Sequence, residues 1–325
     1  MEEIIKDVYR VQIPMPKNPL KYLNSYFIKG DRFNLIVDTG LNHKEAERIL
    51  FSAINDLSFL PGNTKLFITH MHSDHCGLCI KLNKKGMDVL INPIDGEVIN
   101  NPMNWEKMIG FAKDMGMPHD RLNDARMGHP GYRFRPIGTM KYIPLKDNEI
   151  IDMGNFVFRT IHTPGHTKGH LCLYEEEKKL FISGDHILME ITPNISQWQE
   201  DTYPLQEYLY SLKKIKDLKV DLVLPGHRSI FSDLKKRVEE LEIHHKKRLD
   251  EVFDIVESHP GICAYEVASL MNWDMDYRSW EEFPMGQKWF ATGEAQAHLN
   301  YLEHMGRLVS KKADKIIYFE KGVIS

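Results

Sequence analysis

No apolar run in this chain is long enough to span a bilayer, and the first residues, Met-Glu-Glu-Ile-Ile-Lys-Asp, lack the apolar core of a secretion signal. A membrane partner is therefore not expected, and the chain reads as soluble and cytoplasmic. Charge of one sign is also missing: 42 basic against 46 acidic residues leave a formal net charge of -4. That balance gives no general reason to expect a polyanionic partner. Cysteine is scarce. Cys76, Cys79, Cys172 and Cys263 could form two disulfides, but a chain of 325 residues does not need them to hold a core. Cys76 and Cys79 make one Cys-x-x-Cys, half of a four-thiolate zinc site with no second half, and read as core-packed thiols at the start of a helix. Internal repeats and low-complexity tracts are absent. The length allows one large domain or two smaller ones.

Short apolar runs alternating with turn signals predict strands at 8–13, 25–29 and 33–37, with Gly30-Asp31 as a hairpin turn. Apolar residues at helical spacing predict a helix over 43–57. Residues 66–68 read as a buried strand, 75–85 as a helix ended by Gly86, and 88–91 as a strand. The stretch 93–140 differs. It carries Met103, Trp105, Met108, Phe111, Met115 and Met117 among several Pro and Gly, and predicts two or three short helices inserted over the site. A second strand series follows at 141–143, 156–162, 170–174, 180–183 and 222–224, with a helix at 203–216. Two sheets face to face with helices outside, a four-layer α/β arrangement, fit this order. Residues 234–258 predict a long charged amphipathic helix. Beyond it, helices at 264–271 and 294–305 and a two-strand wing around Ala313-Asp314 suggest a small winged-helix-like module. The expected domains are 1–233, with the helical insert at about 93–140, and 234–325.

Chemistry concentrates in Thr69-His70-Met71-His72-Ser73-Asp74-His75-Cys76-Gly77. In an extended segment, positions i and i+2 share a side, so His70 and His72 can aim at one point. Asp74 and His75 follow as the chain turns into a helix and can reach a second point nearby. A lone histidine is ordinarily a satisfied core or surface residue. Four imidazole and carboxylate groups within six positions are what zinc and similar ions select. Three further segments add ligand-type side chains in loops after strands: His162-Thr-Pro-Gly-His166-Thr-Lys-Gly-His170, Ser183-Gly-Asp185-His186 and Leu224-Pro-Gly-His227. Glycine in each lets the backbone approach closely, and loops on a rigid sheet are where catalytic groups usually sit.

These four motifs, in this order, resemble the metallo-β-lactamase superfamily over roughly residues 8 to 232. The resemblance implies a four-layer αββα sandwich and two divalent metal ions per chain, with zinc expected and iron or manganese the other candidates. It implies that His70, His72 and His166 bind the first ion, that Asp74, His75 and His227 bind the second, and that Asp185 bridges both. Asp38 matches the family's aspartate after the early strand and would hold the metal loop. His162, His170 and His186 match no ligand position. Two ions sharing a water would acidify it to a bridging hydroxide, with Asp74 as the catalytic group that orients it and shuttles a proton.

The bond broken is less legible. The zinc β-lactamases usually carry cysteine where this chain has Asp185, which argues against that activity. The segment from Asp185 to His227 is too short for the large inserted domain of the RNA-processing nucleases. Thr-Pro-Gly-His-Thr-x-Gly-His is similar to glyoxalase II and related thioester hydrolases, but lactonases, small endoribonucleases and iron persulfide dioxygenases share it. The expected function is hydrolysis of a thioester or ester of a small acyl compound. A phosphodiesterase or endoribonuclease, a metal-retaining ligand-binding or regulatory protein with little turnover, and a mononuclear iron oxygenase are the alternatives. Arg121, Arg126, Arg133, Arg135 and Lys141 cluster around Tyr132 and Phe134. They are either ordinary surface cations or an anion-binding rim for a phosphate-bearing small molecule such as an acyl-CoA or a nucleotide. Tyr132, Arg133 and Arg135 are candidate substrate contacts, and Trp198, in the loop after Asp185, is another. Residues 236–325 hold 12 basic and 16 acidic residues, poorly suited to DNA. A structural role is expected for this module, packing on the hydrolase domain or forming a homodimer contact. Similar modules on small relatives of a ribonuclease-like group leave RNA open.

Overall fold

The computed structural model describes residues 1–16, 18–102, 105–274 and 277–322; Met103, expected in the inserted helices, lies outside them. The chain divides into two compact units that do not follow chain order. The first is Met1–Pro102, Arg133–Pro193 and Lys213–Val238; the second is Met103–Tyr132, Asn194–Leu212 and Glu239–Ser325.

The first unit holds two sheets. One runs β1 (Glu2–Ile5), β2 (Val8–Pro14), β3 (Tyr22–Ile28), β4 (Asn34–Val37), β5 (Thr64–Phe67), β6 (Asp88–Ile91) and β7 (Tyr142–Pro144), in that order. Its first four strands are antiparallel and its last four parallel. The other orders β12 (Leu222–Pro225), β11 (Leu180–Gly184), β10 (Leu171–Glu175), β9 (Val157–His162) and β8 (Ile150–Asp152), with only β11 and β12 parallel. Alternation decides which residues face where. The register row Phe27, Ile36, Leu66 and Val89 packs with Ala46, Leu50 and Ile54 of helix α1 (Lys44–Asp56). The next row, Val37, Phe67 and Leu90, turns to the other side and packs with Phe158, Leu171, Leu173 and Ile182 of the second sheet. The two sheets therefore share an apolar interior, as the strand pattern implied.

The helix read over 75–85 is two short ones, α2 (Ser73–Cys76) and α3 (Cys79–Lys84), interrupted at Gly77. A Cβ there would lie 2.4 Å from Asn42 N and 2.6 Å from Gly40 O, so only glycine lets the backbone pass this close. Among the described residues, 93–140 hold four α-helices rather than two or three, α4 (Pro93–Asn100), α5 (Trp105–Asp114), α6 (Leu122–Gly128) and α7 (Pro130–Arg133), with a 3-10 turn at His119–Arg121. Helix α8 (Pro204–Ile215) follows the second sheet's hairpins.

The second unit has its own core. Met108 and Phe111 of α5, Met115 just after it, and Leu122 and Ala125 of α6 pack with Val252 and Val256 of α9 (Leu234–Ser258). Val267 of α10 (Ala264–Leu270) and Trp289, Ala295 and Leu299 of α11 (Met285–His304) complete it. A small sheet orders β13 (Ile262–Cys263), β15 (Ile316–Lys321) and β14 (Leu308–Ala313). No helix among the described residues is long and apolar enough to cross a membrane.

Candidate metal centre

Five loops at strand ends of the first unit bring the ligand-type residues together. Asp38 follows β4 in a left-handed conformation (φ 59°), its amide bonded to Phe67 O at 2.9 Å. The segment from Thr69 to α2 follows β5, His166 lies between β9 and β10, Asp185 follows β11 and His227 follows β12. Leu171 N to Thr69 O at 2.9 Å and Gly226 N to Gly184 O at 2.8 Å tie these loops to one another, and Asn24 N to Gly226 O at 2.7 Å ties the last of them to β3.

Among the described residues three groups of donor atoms result, each with its atoms within 4.8 Å of one another: His70, His72 and His166; His70, His75 and Asp185; and Asp74, His75 and His227. The rings of His72 and His166 meet edge to face with centroids 4.5 Å apart. Asp185, a member of the second group, lies between the other two. Its Oδ1 is 3.4 Å from His75 Nε2, and its Oδ2 is 3.6 Å from both His166 Nε2 and His227 Nε2. Asp74 Oδ2 is 3.3 Å from His227 Nε2 and 3.9 Å from His75 Nε2. Gly226 is needed beside them, because a Cβ there would sit 2.5 Å from Asp185 Oδ1 and 2.7 Å from His75 Cε1.

The outer ring nitrogens are anchored. His75 Nδ1 donates to Asp38 Oδ2 at 2.7 Å, and Asp38 also accepts from the Thr69 amide at 2.9 Å and hydroxyl at 2.8 Å. His227 Nδ1 donates to Tyr22 O at 2.8 Å. With Nδ1 carrying the proton, Nε2 of each presents its lone pair inward. Nε2 of His70, His75 and His227 and Oδ1 of Asp185 are buried and make no well-formed hydrogen bond. Buried polar atoms without partners are costly unless something binds them. Nitrogen and carboxylate donors so arranged are compatible with divalent metal ions.

The electrostatics agree. Burial pushes the Asp185 and Asp74 carboxyls up, but neighbouring His75 and His227 outweigh it and hold both below the ordinary carboxylate range. Burial likewise presses on His75 and His227, and the facing carboxylates, Asp185 foremost, raise both. His70, buried among other imidazoles, is held well below its ordinary value, and burial with His166 alongside takes His72 down to about 3. A divalent ion bound between these groups would favour the ionised carboxylates in the same sense.

His162 bonds Lys168 O through Nε2 at 2.8 Å, and His170 Nε2 accepts from the Asp185 amide at 3.2 Å; neither belongs to a donor group, nor does buried His186. Cys76 and Cys79 are buried free thiols. Arg133 and Arg135 belong to the first unit; Arg133 is exposed with its guanidinium 5.2 Å from the Phe134 ring. Tyr132 and Trp198 belong to the second, Tyr132 edge-on to Trp105 at 5.5 Å and Trp198 stacked on Trp289 at 5.1 Å. One important residue carried no sequence signal. Buried Asp95, in the first turn of α4, accepts from Met71 N at 2.9 Å, Thr167 Oγ1 at 2.7 Å and Gly169 N at 2.8 Å. It thereby joins the His70–His72 segment to the His166 loop.

Comparison with known proteins agrees with this geometry. The chain is 24% identical to the "probable metallo-hydrolase YqjP" of Bacillus subtilis across 97% of this chain and 98% of that one. It is 23% identical to the human "acyl-coenzyme A thioesterase MBLAC2" across 64% of this chain and 74% of that one. A crystal structure of a metallo-beta-lactamase family protein from Thermus thermophilus superposes with a TM-score of 0.82 at 25% identity, covering 98% of this chain and 99% of the other. The family description "metallo-beta-lactamase superfamily" matches residues 20–227, and the chain belongs to that superfamily as a metallo-hydrolase.

Proposed function

We propose that this metallo-hydrolase carries two divalent ions and cleaves thioesters of small acyl compounds. The observation that carries the reading is the position of Asp185, whose oxygens lie 3.4–3.6 Å from ring nitrogens in both outer donor groups. His70, His72 and His166 would hold one ion, Asp74, His75 and His227 the other, and Asp185 would touch both. Zinc suits a set with five imidazoles. Ions held there supply Lewis acidity, acidifying a water and polarising the acyl carbonyl.

The chain's own groups do the rest. Asp74 is the carboxylate with access, its side chain 16% exposed against 10% for Asp185, and His75 and His227 hold it ionised against the effect of burial. It orients the attacking water and takes its proton. The water oxygen bonds to the thioester carbon, the C–S bond breaks, and the thiolate leaves. A covalent route through Cys76 is disfavoured. Its thiol is buried, pushed well up by that burial, and donates to Met71 O at 3.0 Å.

The thioester preference rests on the MBLAC2 relative's stated activity and on the Thr-Pro-Gly-His-Thr-x-Gly-His string. It is tested by assaying the zinc-loaded protein against an acyl-CoA, S-acylglutathione, a lactone and bis(p-nitrophenyl) phosphate. Turnover concentrated on the thioesters is expected. Turnover confined to the phosphodiester would replace this reading with the nuclease one.

A further inference from the structure

A groove of about 380 Å³ opens in the first unit beside the residues that follow His227. Its lining comes from β2, Leu20 and Lys21 with the start of β3, the loop after β11 and the residues after His227, and it contains Arg10, Lys21 and Arg228 against one carboxylate, Glu190. Glu190 is already engaged. It accepts from the Ser229 amide at 3.2 Å and from the Ser229 hydroxyl, and these bonds together with Arg228 hold it ionised against the effect of burial. The cations are less satisfied. Arg228 makes one long bond, Nη2 to Pro19 O at 3.4 Å, and its Nε is buried without a hydrogen-bond partner. Arg10 pairs with Glu2 at 2.5 Å through Nη2, and its Nε is likewise buried and unpartnered.

The backbone makes the same point. Lys21 and Arg228 both sit at positive φ, 65° and 66°. Glycine meets that conformation without strain, so a long cationic side chain at each position is held against local preference. Tyr22, 45% exposed, adds an aromatic face to the lining. The groove is also wired to the metal centre. The Tyr22 carbonyl fixes His227 Nδ1 at 2.8 Å, and Asn24 Nδ2 donates to Pro225 O at 3.1 Å and Arg228 O at 2.9 Å on either side of that histidine.

We propose that this groove binds the phosphate-bearing end of the substrate's carrier, a nucleotide-type thiol such as coenzyme A. The inference deepens the thioesterase reading and rests on it. Guanidinium and ammonium groups with spare donors recognise phosphate, and an adjacent aromatic ring offers a face for a base. This places phosphate recognition at Lys21 and Arg228, apart from the Arg133–Arg135 stretch singled out by sequence.

The test compares two thioesters with the same acyl group, one on coenzyme A and one on phosphate-free N-acetylcysteamine. In Arg228→Gln, the ratio of kcat/KM for the first to that for the second should fall about tenfold, and further in Lys21→Gln/Arg228→Gln. Taking the ratio cancels any general effect on His227. Calorimetric binding of adenosine 3′,5′-bisphosphate to the same metal-loaded proteins should weaken in parallel. An unchanged ratio, or bisphosphate bound equally by wild type and variants, overturns the groove. If wild type hydrolyses neither thioester, the thioesterase reading fails by itself. The binding experiment then decides alone: loss with Arg228→Gln sustains a phosphate groove, and indifference removes it.

Discussion

His75 shows how much a single side chain depends on its support. Its Nδ1 is held by Asp38 at 2.7 Å, which sets both the tautomer and the ring plane that aims Nε2 at Asp185. Asn at position 38 keeps the shape but removes the charge and the unambiguous acceptor. Asp38→Asn should therefore weaken metal binding by about 10–100-fold in competition with a chelator of known affinity. Affinity within about twofold of wild type would show that Asp38 does not support the centre. At this scale the sequence was informative where ligand-type residues crowd together. His70, His72, Asp74 and His75 lie within six positions, so their spacing alone brought them forward. Asp95 was illegible for the opposite reason. Its role is defined by donors on residues 71, 167 and 169, and only the fold makes those neighbours.

Among the elements, α11 departs furthest from its expected bounds, running Met285–His304 where residues 294–305 were expected. Its buried residues include Lys288, Trp289, Ala291, Thr292, Gly293, Ala295, Gln296 and Ala297. Burial on nearly every side erases the apolar stripe on which periodicity depends, and Gly286 and Gly293 read as breakers. Strands β1, β8 and β13 also escaped notice, being only two to four residues long. Helix α11 makes a prediction of its own. Burial pushes Glu294 up from its ordinary 4.5 to about 7, against the pull of Arg248, 3.9 Å away, and Asn194. The folded state therefore holds this proton more tightly than the unfolded chain. The resulting stability is fully present below about pH 4.5 and is lost as pH rises through about 7. Denaturant unfolding at several pH values should show wild type losing roughly 1–3 kcal/mol relative to Glu294→Gln across that window. Parallel pH profiles would contradict it.

For the whole molecule, the sandwich was legible because alternating strands with turn signals specify sheets, and both sheets must bury a face. Rows such as Val37, Phe67 and Leu90 do so. The grouping of segments 103–132 and 194–212 with 239–325 was not legible, since Met108 or Phe111 reads as apolar without stating which core it enters. The fold gathers five histidines and two aspartates, spread from His70 to His227, and on the proposed reading they bind two ions needed for hydrolysis. The most direct measurement titrates metal-free protein with zinc while following thioester hydrolysis. Turnover should rise to a break at about two equivalents per chain and vanish on chelation. Full turnover without metal, or a break at about one equivalent with no further gain, would contradict the account.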